Sequence, residues 1–129
     1  MTTVGSIMSR ELLAVAADTT LTDAARKMKG GRVGAVVVLE GDALKGILTE
    51  RDVLRAVGED RVAGTTVADW MTREPETIEP SETTAMAATL MIHGGFRHLP
   101  VVDGGTVVGI ISIRDLMRVV LDDAAPRGV

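Results

Sequence analysis

The sequence GILTERD at positions 46–52 decides the fold, because it returns 63 residues later as GIISIRD at positions 109–115. The match extends outward from this stretch without a gap, so that residues 4–57 align with residues 67–120. A duplication of this length indicates two copies of one supersecondary unit that share a core. Two copies also predict two similar clefts, and therefore a pair of candidate binding sites.

Each copy is predicted to form the same series of elements, β-α-β-β-α. The assignments follow from apolar side chains at helical spacing, from short apolar runs typical of buried strands, and from turns that contain glycine. In copy 1 the series is a strand at 13–15, a helix between Thr20 and Gly30-Gly31, strands at 33–39 and 44–48, and a helix at 49–57. In copy 2 it is a strand near 77–78, a helix that ends at Gly94-Gly95, strands at 96–102 and 107–111, and a helix at 112–121.

These units predict an α+β fold in which both helices of a copy pack on one face of a three-stranded sheet. A lone unit of about sixty residues is marginal because it buries only about 60% of its unfolded surface, so we expect the two copies to pack together. The predicted organisation is a first domain at 1–63, with its core at 4–57 and a linker at 58–66, a second domain at 67–121, and a flexible tail at 122–129.

The composition argues against several classes of function. The net charge is −4 and no run of basic residues is present, which disfavours nucleic-acid binding. The sequence has no cysteine, and its two histidines, His93 and His98, lie on different predicted elements, so no metal site is predicted. No apolar stretch is long enough to cross a membrane, and we expect a cytoplasmic protein. No nucleophile and base stand in a recognisable arrangement, so we predict that the chain is not an enzyme.

The duplicated stretch places a hydroxyl residue three positions before an aspartate at a predicted helix start: Thr49 with Asp52, and Ser112 with Asp115. One interpretation is structural, because these residue types at this spacing form a capping box, and an acid suits the first turn of a helix. The other interpretation is functional. A helix N-terminus can hold a phosphate beside the hydroxyl, and a carboxylate can accept hydrogen bonds from the two hydroxyls of a ribose. The sequence leaves both interpretations open.

The two copies resemble a tandem pair of CBS domains, the module named after cystathionine β-synthase and often called a Bateman module. The resemblance rests on GAVVVLEGDALKGILTERDVL at 34–54 and on GGFRHLPVVDGGTVVGIISIRDLM at 94–117, and it covers nearly the whole chain. It implies two β-α-β-β-α units related by a pseudo-twofold axis, with paired clefts between their sheets. It also implies binding of AMP, ADP or ATP, or of an NAD-type or S-adenosyl ligand, and association into a homodimer.

The resemblance further implies two unequal nucleotide sites. At the favoured site, Asp115 would hold the ribose and Ser112 would touch the ribose or a phosphate. The other residues implied there are Arg97, His98 and Arg114 near the phosphates, and Leu13, Val33 and Gly34 around the adenine. The weaker site would use Thr49, Asp52, Arg51, Phe96 and Thr77. Because copy 1 has Gly34-Ala35 where copy 2 has Arg97-His98, we expect the weaker site to lack these cations.

We therefore expect a stand-alone regulatory module that binds an adenosine nucleotide, requires no cofactor or metal, and regulates a separate protein. Two alternatives stay open at this point. The chain could be a structural or interaction module in which the clefts serve dimerisation and the hydroxyl–aspartate pairs only cap helices. It could also be an enzyme that uses the bound nucleotide as its substrate.

Overall fold

The computed structural model describes residues 2–124, and side-chain surroundings for residues 2–122. Its helices are α1 (Val4–Ile7), α2 (Leu21–Gly31), α3 (Glu50–Gly58), α4 (Thr84–Gly94) and α5 (Ile113–Ala124). Its strands are β1 (Ala14–Val15), β2 (Ala35–Glu40), β3 (Ala43–Thr49), β4 (Thr72–Arg73), β5 (His98–Asp103) and β6 (Thr106–Ser112). The predicted α+β class and the two repeated units are confirmed. Helix α5 continues three residues beyond its predicted end, and positions 125–129 of the predicted tail lie outside the described residues.

The first long helix of copy 1 begins at the predicted cap and ends slightly later than predicted, whereas that of copy 2 ends at Gly94-Gly95 as predicted. The side-chain oxygen of Thr20 accepts a hydrogen bond from the backbone N–H of Asp23 at the start of α2. The residue that ends α2 is Arg32, which lies in the left-handed region at φ 55°, rather than Gly30-Gly31. The repeat-equivalent residue after α4 is Gly95, at φ 71°. Both helices therefore end in the same backbone conformation, but copy 1 adopts it with a residue that has a Cβ, at some cost in strain.

Each copy packs its two long helices on one face of its sheet, as predicted. In copy 1, Val36, Val38 and Leu48 alternate along β2 and β3 and share a core with side chains of α2 and α3. In copy 2, Leu99, Val101 and Ile111 occupy the equivalent positions and pack against α4 and α5. Within residues 2–124, none of the helices combines the length and the apolar character that crossing a lipid bilayer requires.

The two copies exchange their leading segments, residues 4–9 and 67–73, which the sequence analysis did not foresee. Strand β4 precedes copy 2 along the chain, yet it pairs antiparallel with β3 of copy 1 and makes that sheet four-stranded. Reciprocally, Ser9 of copy 1 pairs with Ile110 of β6 through two backbone hydrogen bonds of 2.9 and 3.0 Å. The prediction of a three-stranded sheet in each copy is corrected: the sheet of copy 1 has four strands, whereas that of copy 2 has β5 and β6, with single bridges to Ile78 and Ser9.

Two glycines at repeat-equivalent positions explain how this exchange is possible. A Cβ on Gly46 would lie 2.6 Å from the carbonyl oxygen of Thr72, and a Cβ on Gly109 would lie 2.6 Å from that of Ser9. Such separations are too short for any side chain, so only glycine lets the exchanged backbone approach. Because both copies require glycine at this position, the two exchanged segments pack against the two sheets in the same way.

The exchanged segments are also anchored by apolar side chains. Val67, Trp70 and Met71 of copy 2 join the core of copy 1, while Val4 and Met8 of copy 1 join the core of copy 2. Burial of side chains of this size contributes about 1.5–3 kcal/mol each. The two copies therefore stabilise one another, and the clefts between them are formed by elements that are held firmly in place.

Candidate functional site

Two cavities lie between the copies, one beside the start of each final helix. The larger, of about 660 Å³, is called here the Ser112 cavity. Seven residues predicted for the favoured site line it: Ser112, Asp115, Arg97, His98, Arg114, Val33 and Gly34. The smaller, of about 510 Å³, is called the Thr49 cavity, and four residues predicted for the weaker site line it: Thr49, Asp52, Arg51 and Phe96. The structure thus brings most of the predicted site residues together in two clefts.

Leu13 and Thr77, the other two residues predicted for these sites, do not line the cavities. Leu13 packs against the core of copy 1, and its side chain fills the space beside Gly31. Thr77 is exposed and precedes Ile78, which bridges to β5. Leu13 precedes β1, which pairs with β2 and not with β3, and Ile78 bridges to β5 and not to β6.

Both aspartates form the capping box that the structural interpretation predicted. At the start of α5, Asp115 Oδ2 accepts hydrogen bonds from the backbone N–H of Ser112 at 2.8 Å and from Ser112 Oγ at 3.0 Å. The backbone N–H of Asp115 donates in return to Ser112 Oγ at 3.2 Å. Asp52 and Thr49 make the same three contacts at 2.9, 3.2 and 3.4 Å. The hydroxyl–aspartate pairs therefore stabilise the helix starts in both copies.

Capping uses only one oxygen of each carboxylate, and the second oxygens have different surroundings. Asp115 Oδ1 lies 3.9 Å from Arg118 Nη1, which is too far for a direct hydrogen bond. Asp52 Oδ1 lies 3.5 Å from Arg55 Nη1, and the guanidinium of Arg55 sits over the ring of Trp70 at 5.7 Å from its centroid. The side chain of Asp115 is 17% exposed and that of Asp52 is 9% exposed. Asp115 is therefore freer to accept a hydrogen bond from a ligand.

The N-termini of the final helices have less free hydrogen-bonding capacity than the sequence analysis assumed. The backbone N–H of Ile113 donates to the carbonyl oxygen of Arg97 at 2.9 Å, and that of Asp115 donates to Ser112 Oγ. The equivalent N–H of Glu50 donates to the carbonyl oxygen of Gly34 at 2.9 Å. Two of the first three N–H groups of α5 are thus already bonded. A phosphate in the Ser112 cavity would depend mainly on side-chain cations.

The Ser112 cavity contains three cations that the sequence analysis missed. Lys29 and Arg32 reach it from the end of α2 in the other copy, and Arg118 lies one turn beyond Asp115 on α5. Only the i,i+3 spacing of Asp115 and Arg118 could have been noticed in the sequence. Lys29 and Arg32 are brought in by packing between the copies, which local pattern does not reveal.

Arg97 and His98 line both cavities, which corrects the expectation that the weaker site lacks them. They lie at the start of β5, between the two clefts, together with Glu50 at the start of α3. A Cβ on Gly34 would lie 3.1 Å from Glu50 Oε1 and 3.2 Å from His98 Nε2, so these side chains close over that glycine. One wall of charged side chains therefore serves both cavities.

Burial lowers the pKa of His98 below its usual value of 6.5. The carboxylates of Glu50 and Asp115 oppose this shift, and the guanidinium groups of Arg97 and Arg114 add to it. The imidazole of His98 is consequently neutral at pH 7, and an anion placed beside it would favour its protonation. Among residues 2–124, no three His, Asp or Glu side chains converge to form a metal site.

Comparison with known proteins identifies the family. The model of the CBS domain matches the chain twice, at residues 4–59 and 67–122. The chain is a tandem CBS-domain protein. It is 36% identical over 117 residues to the CBS domain-containing protein YhcV of Bacillus subtilis strain 168, a match that covers 90% of this chain and 84% of that protein.

Solved structures of CBS-domain proteins share the whole fold. A protein with CBS domains from Burkholderia ambifaria MC40-6 superposes with a TM-score of 0.91 at 36% identity, over 99% of this chain and 100% of that one. CBSX2, solved in complex with AMP, superposes with a TM-score of 0.83 at 28% identity, over 97% of this chain and 100% of its own. The family resemblance seen in the sequence is thereby confirmed.

Proposed function

We propose that this CBS-domain pair is a non-catalytic regulatory module that binds an adenosine nucleotide such as AMP, ADP or ATP between its copies. The Ser112 cavity is the principal site and the Thr49 cavity binds the nucleotide more weakly. The observation that carries this proposal is the carboxylate of Asp115, which keeps one oxygen free inside a cavity of about 660 Å³ that is rich in cations. Cavities of roughly 300–1,000 Å³ are typical of small-molecule sites.

Each part of a nucleotide has a matching group in the Ser112 cavity. The free Oδ1 of Asp115 suits the ribose hydroxyls, because a carboxylate accepts hydrogen bonds from two vicinal donors. Val33 and Ile110 supply apolar surface for a base. The guanidinium groups of Arg97 and Arg114 suit phosphate oxygens, since arginine recognises phosphate with two parallel hydrogen bonds. An NAD-type or S-adenosyl ligand shares the adenosine half and would use the ribose contact of one of the two cavities.

The AMP complex of CBSX2 supports the proposal, because that protein shares the fold of this chain along its full length. The capping boxes favour the alternative of a purely structural module, since they give both aspartates a role without any ligand. The two roles are compatible in one residue, because capping occupies Oδ2 and leaves Oδ1 for another partner. A ligand test therefore decides between them.

We further propose that the module forms a homodimer and regulates a separate protein. The final helices α3 and α5 expose apolar side chains at repeat-equivalent positions: Leu54 and Met117, and Val57 and Val120. Their exposed fractions range from 52% to 69%. Exposed apolar patches are typical of association surfaces, and the duplication makes the two patches alike. Sedimentation analysis of the wild type and of Leu54→Glu/Met117→Glu tests this part, and a wild-type monomer would contradict it.

A thermal-shift screen against AMP, ADP, ATP, NADH and S-adenosylmethionine tests the proposed function. A ligand present at one hundred times its dissociation constant adds about 2.7 kcal/mol to the free energy of unfolding. We expect such stabilisation from at least one adenosine nucleotide, and we expect Asp115→Asn to lose it. No stabilisation by any of the five compounds would favour the structural module. Turnover of ATP that disappears in Asp115→Asn would instead favour an enzyme.

A further inference from the structure

We propose that the two cavities sort their ligands by charge. The Ser112 cavity takes a nucleoside polyphosphate, and the Thr49 cavity takes a nucleoside that carries no phosphate and is neutral or cationic. This inference rests on the proposed function, because it assigns a class of adenosine ligand to each cleft. It makes the module a sensor of two chemically different compounds, because a ligand without phosphate would displace the weakly bound nucleotide from the Thr49 cavity.

The Ser112 cavity is strongly positive. Its basic side chains are Lys29, Arg32, Arg97, Arg114 and Arg118. Its carboxylates are Glu50 and Asp115, and His98 is neutral at pH 7. The lining therefore carries three net positive charges. A triphosphate brings several negative charges, and a concave site of opposite sign concentrates its attraction on such a ligand.

The Thr49 cavity has the opposite balance. Its basic side chains are Arg51, Arg55 and Arg97, and its carboxylates are Glu50, Asp52, Glu74 and Glu76. The lining therefore carries one net negative charge. Arg55 is in addition paired with Asp52 at 3.5 Å and stacked on Trp70, so it is less available to a phosphate. A polyphosphate in this cavity would meet carboxylates where the Ser112 cavity offers cations.

The contrast comes from a few positions where the repeats differ in residue type or, as at Glu74 and Glu11, only in whether the side chain lines a cavity. Lys29 and Arg32 line the Ser112 cavity, whereas their equivalents are Ile92, which does not line the Thr49 cavity, and Gly95. Glu74 and Glu76 line the Thr49 cavity, whereas their equivalents Glu11 and Leu13 do not line the Ser112 cavity. Two cations are thus present on one side and two carboxylates on the other, in a frame that is otherwise repeated.

Backbone strain occurs at side chains that give the two cavities different charge. Among the described residues, only three that are not glycine have positive φ, and two of them line the cavities: Arg32 at φ 55° in the Ser112 cavity and Glu74 at φ 46° in the Thr49 cavity. Glycine adopts this conformation without strain, as Gly95 does at the position equivalent to Arg32. Strained residues concentrate at functional sites. Each strained side chain here supplies the charge that distinguishes its own cavity.

The Thr49 cavity retains what a nucleoside without phosphate requires. Thr49 and Asp52 stand at the start of α3 as Ser112 and Asp115 do at the start of α5. Ile47, Pro75 and Phe96 supply apolar surface for a base. Glu74 and Glu76 then add a carboxylate environment that would attract a positive group on the sugar substituent. The Thr49 cavity thus keeps a hydroxyl–aspartate pair and an apolar surface, although Asp52 Oδ1 is paired with Arg55 at 3.5 Å, and its charged lining differs from that of the Ser112 cavity.

Titration calorimetry combined with Trp70 fluorescence tests this sorting. Trp70 is the only tryptophan, and Arg55, which lines the Thr49 cavity, lies over its ring, so its emission reports on that cavity. The protein is titrated first with ATP and then, while saturated with ATP, with adenosine and with S-adenosylmethionine. We expect ATP to bind one equivalent without changing Trp70 emission. We expect one of the two phosphate-free compounds to bind a second equivalent and to change that emission.

Two matched double variants sharpen the result, each neutralising two charges of one cavity. Glu74→Gln/Glu76→Gln should let ATP enter the Thr49 cavity, with an affinity about tenfold higher there and a change in Trp70 emission. Lys29→Gln/Arg32→Gln should weaken ATP binding about tenfold and leave the phosphate-free compound unaffected.

Three results would overturn charge sorting. In the first, wild-type protein binds ATP in both cavities with a change in Trp70 emission, and Glu74→Gln/Glu76→Gln makes no difference; this result leaves the proposed function intact. In the second, neither phosphate-free compound binds ATP-saturated protein, which also leaves the proposed function intact. In the third, no adenosine compound binds at all, and both proposals fail together.

Discussion

The Ser112 cavity and the Thr49 cavity are built from the same duplicated frame, yet they offer a ligand different charges. In both, a hydroxyl–aspartate pair caps a helix with the same three hydrogen bonds, and a glycine lets the exchanged segment of the other copy pack against the neighbouring strand. The differences lie in side chains such as Lys29, Arg32, Glu74 and Glu76. Duplication thus repeats the frame, while a few side chains that differ in type or in placement give the two cavities opposite charge.

The largest expected difference between the cavities concerns their aspartates. Asp115→Ala removes the acceptor proposed for the ribose, and hydrogen bonds to a charged group are worth about 1.5–3 kcal/mol. We expect AMP affinity, measured by titration calorimetry, to fall about 10- to 100-fold in this variant. In the matched Asp52→Ala variant it should change by less than about twofold, because Asp52 lies outside the Ser112 cavity. Equal losses in the two variants would contradict the ranking of the sites.

The loss of folding stability should be larger in Asp52→Ala than in Asp115→Ala, the reverse of the order expected for AMP affinity. Both variants lose a capping box, which typically costs about 0.5–2 kcal/mol. Asp52 is the more buried of the two and also pairs with Arg55 over Trp70. We expect the free energy of unfolding to fall by about 2 kcal/mol in Asp52→Ala and by about 1 kcal/mol in Asp115→Ala. Urea denaturation measures both values. A larger loss in Asp115→Ala would show that burial does not distinguish the two caps.

A reciprocal exchange at the ends of α2 and α4 sharpens the comparison further. Arg32→Gly relieves a left-handed conformation and removes a cation, so we expect stability to rise by about 0.5 kcal/mol while ATP affinity falls. Gly95→Arg should do the opposite in the Thr49 cavity, costing about 1 kcal/mol of stability while adding a cation. A Cβ at Gly95 would meet nothing within 4 Å, so the added side chain has room. Unchanged ATP affinity in Arg32→Gly would remove Arg32 from the site.

The smallest expected effect is a pH dependence through His98. Burial lowers the pKa of this imidazole below 6.5, and a bound phosphate beside it would raise the pKa again. Nucleotide binding should therefore take up a proton, and AMP affinity should rise as the pH falls from 7.5 through 6.5, by at most about tenfold per pH unit for one proton. Calorimetry in two buffers of different ionisation enthalpy detects the uptake. His98→Gln is the control for protonation of the AMP phosphate itself, and the same rise in that variant would contradict the role of His98.

The lowered pKa also sets the sign of a stability change in the free protein. The folded state binds the His98 proton less tightly than the unfolded state does. The free energy of unfolding therefore keeps its full value above pH 6.5 and decreases as the pH falls from there through the lower pKa of His98 in the folded state. Urea denaturation from pH 7.5 to 5.5 should show this loss in the wild type but not in His98→Gln.

The sequence predicted the elements well because each of them is a local pattern. The apolar spacing from Leu21 to Met28, the cap at Thr20 and the two hydroxyl–aspartate pairs all act within a few residues, and the structure contains them. The sequence did not predict which sheet each leading segment joins. Local pattern alone would allow β4 to extend the sheet of either copy. Gly46 and Gly109 stand at the same position of the repeat, which indicates that another backbone segment approaches closely there. The sequence does not indicate which segment that is.

The candidate site likewise contains residues that the sequence could place and residues that only the packing of the copies brings in. Ser112, Asp115 and Arg114 are neighbours in sequence, and the family resemblance placed them in one cleft. Lys29 and Arg32 reach the same cleft from the other copy, so only the packing of the copies reveals them. The position of Arg97 and His98 between the cavities was missed for the same reason, since a side chain can line two clefts only in a three-dimensional arrangement.

A crystal structure of the protein grown with AMP tests the central claim most directly. We expect AMP in the Ser112 cavity, with its ribose hydroxyls on Oδ1 of Asp115 and its phosphate among the arginines, while Oδ2 keeps its bonds to Ser112. AMP found first in the Thr49 cavity, or clefts left empty at saturating AMP, would contradict it.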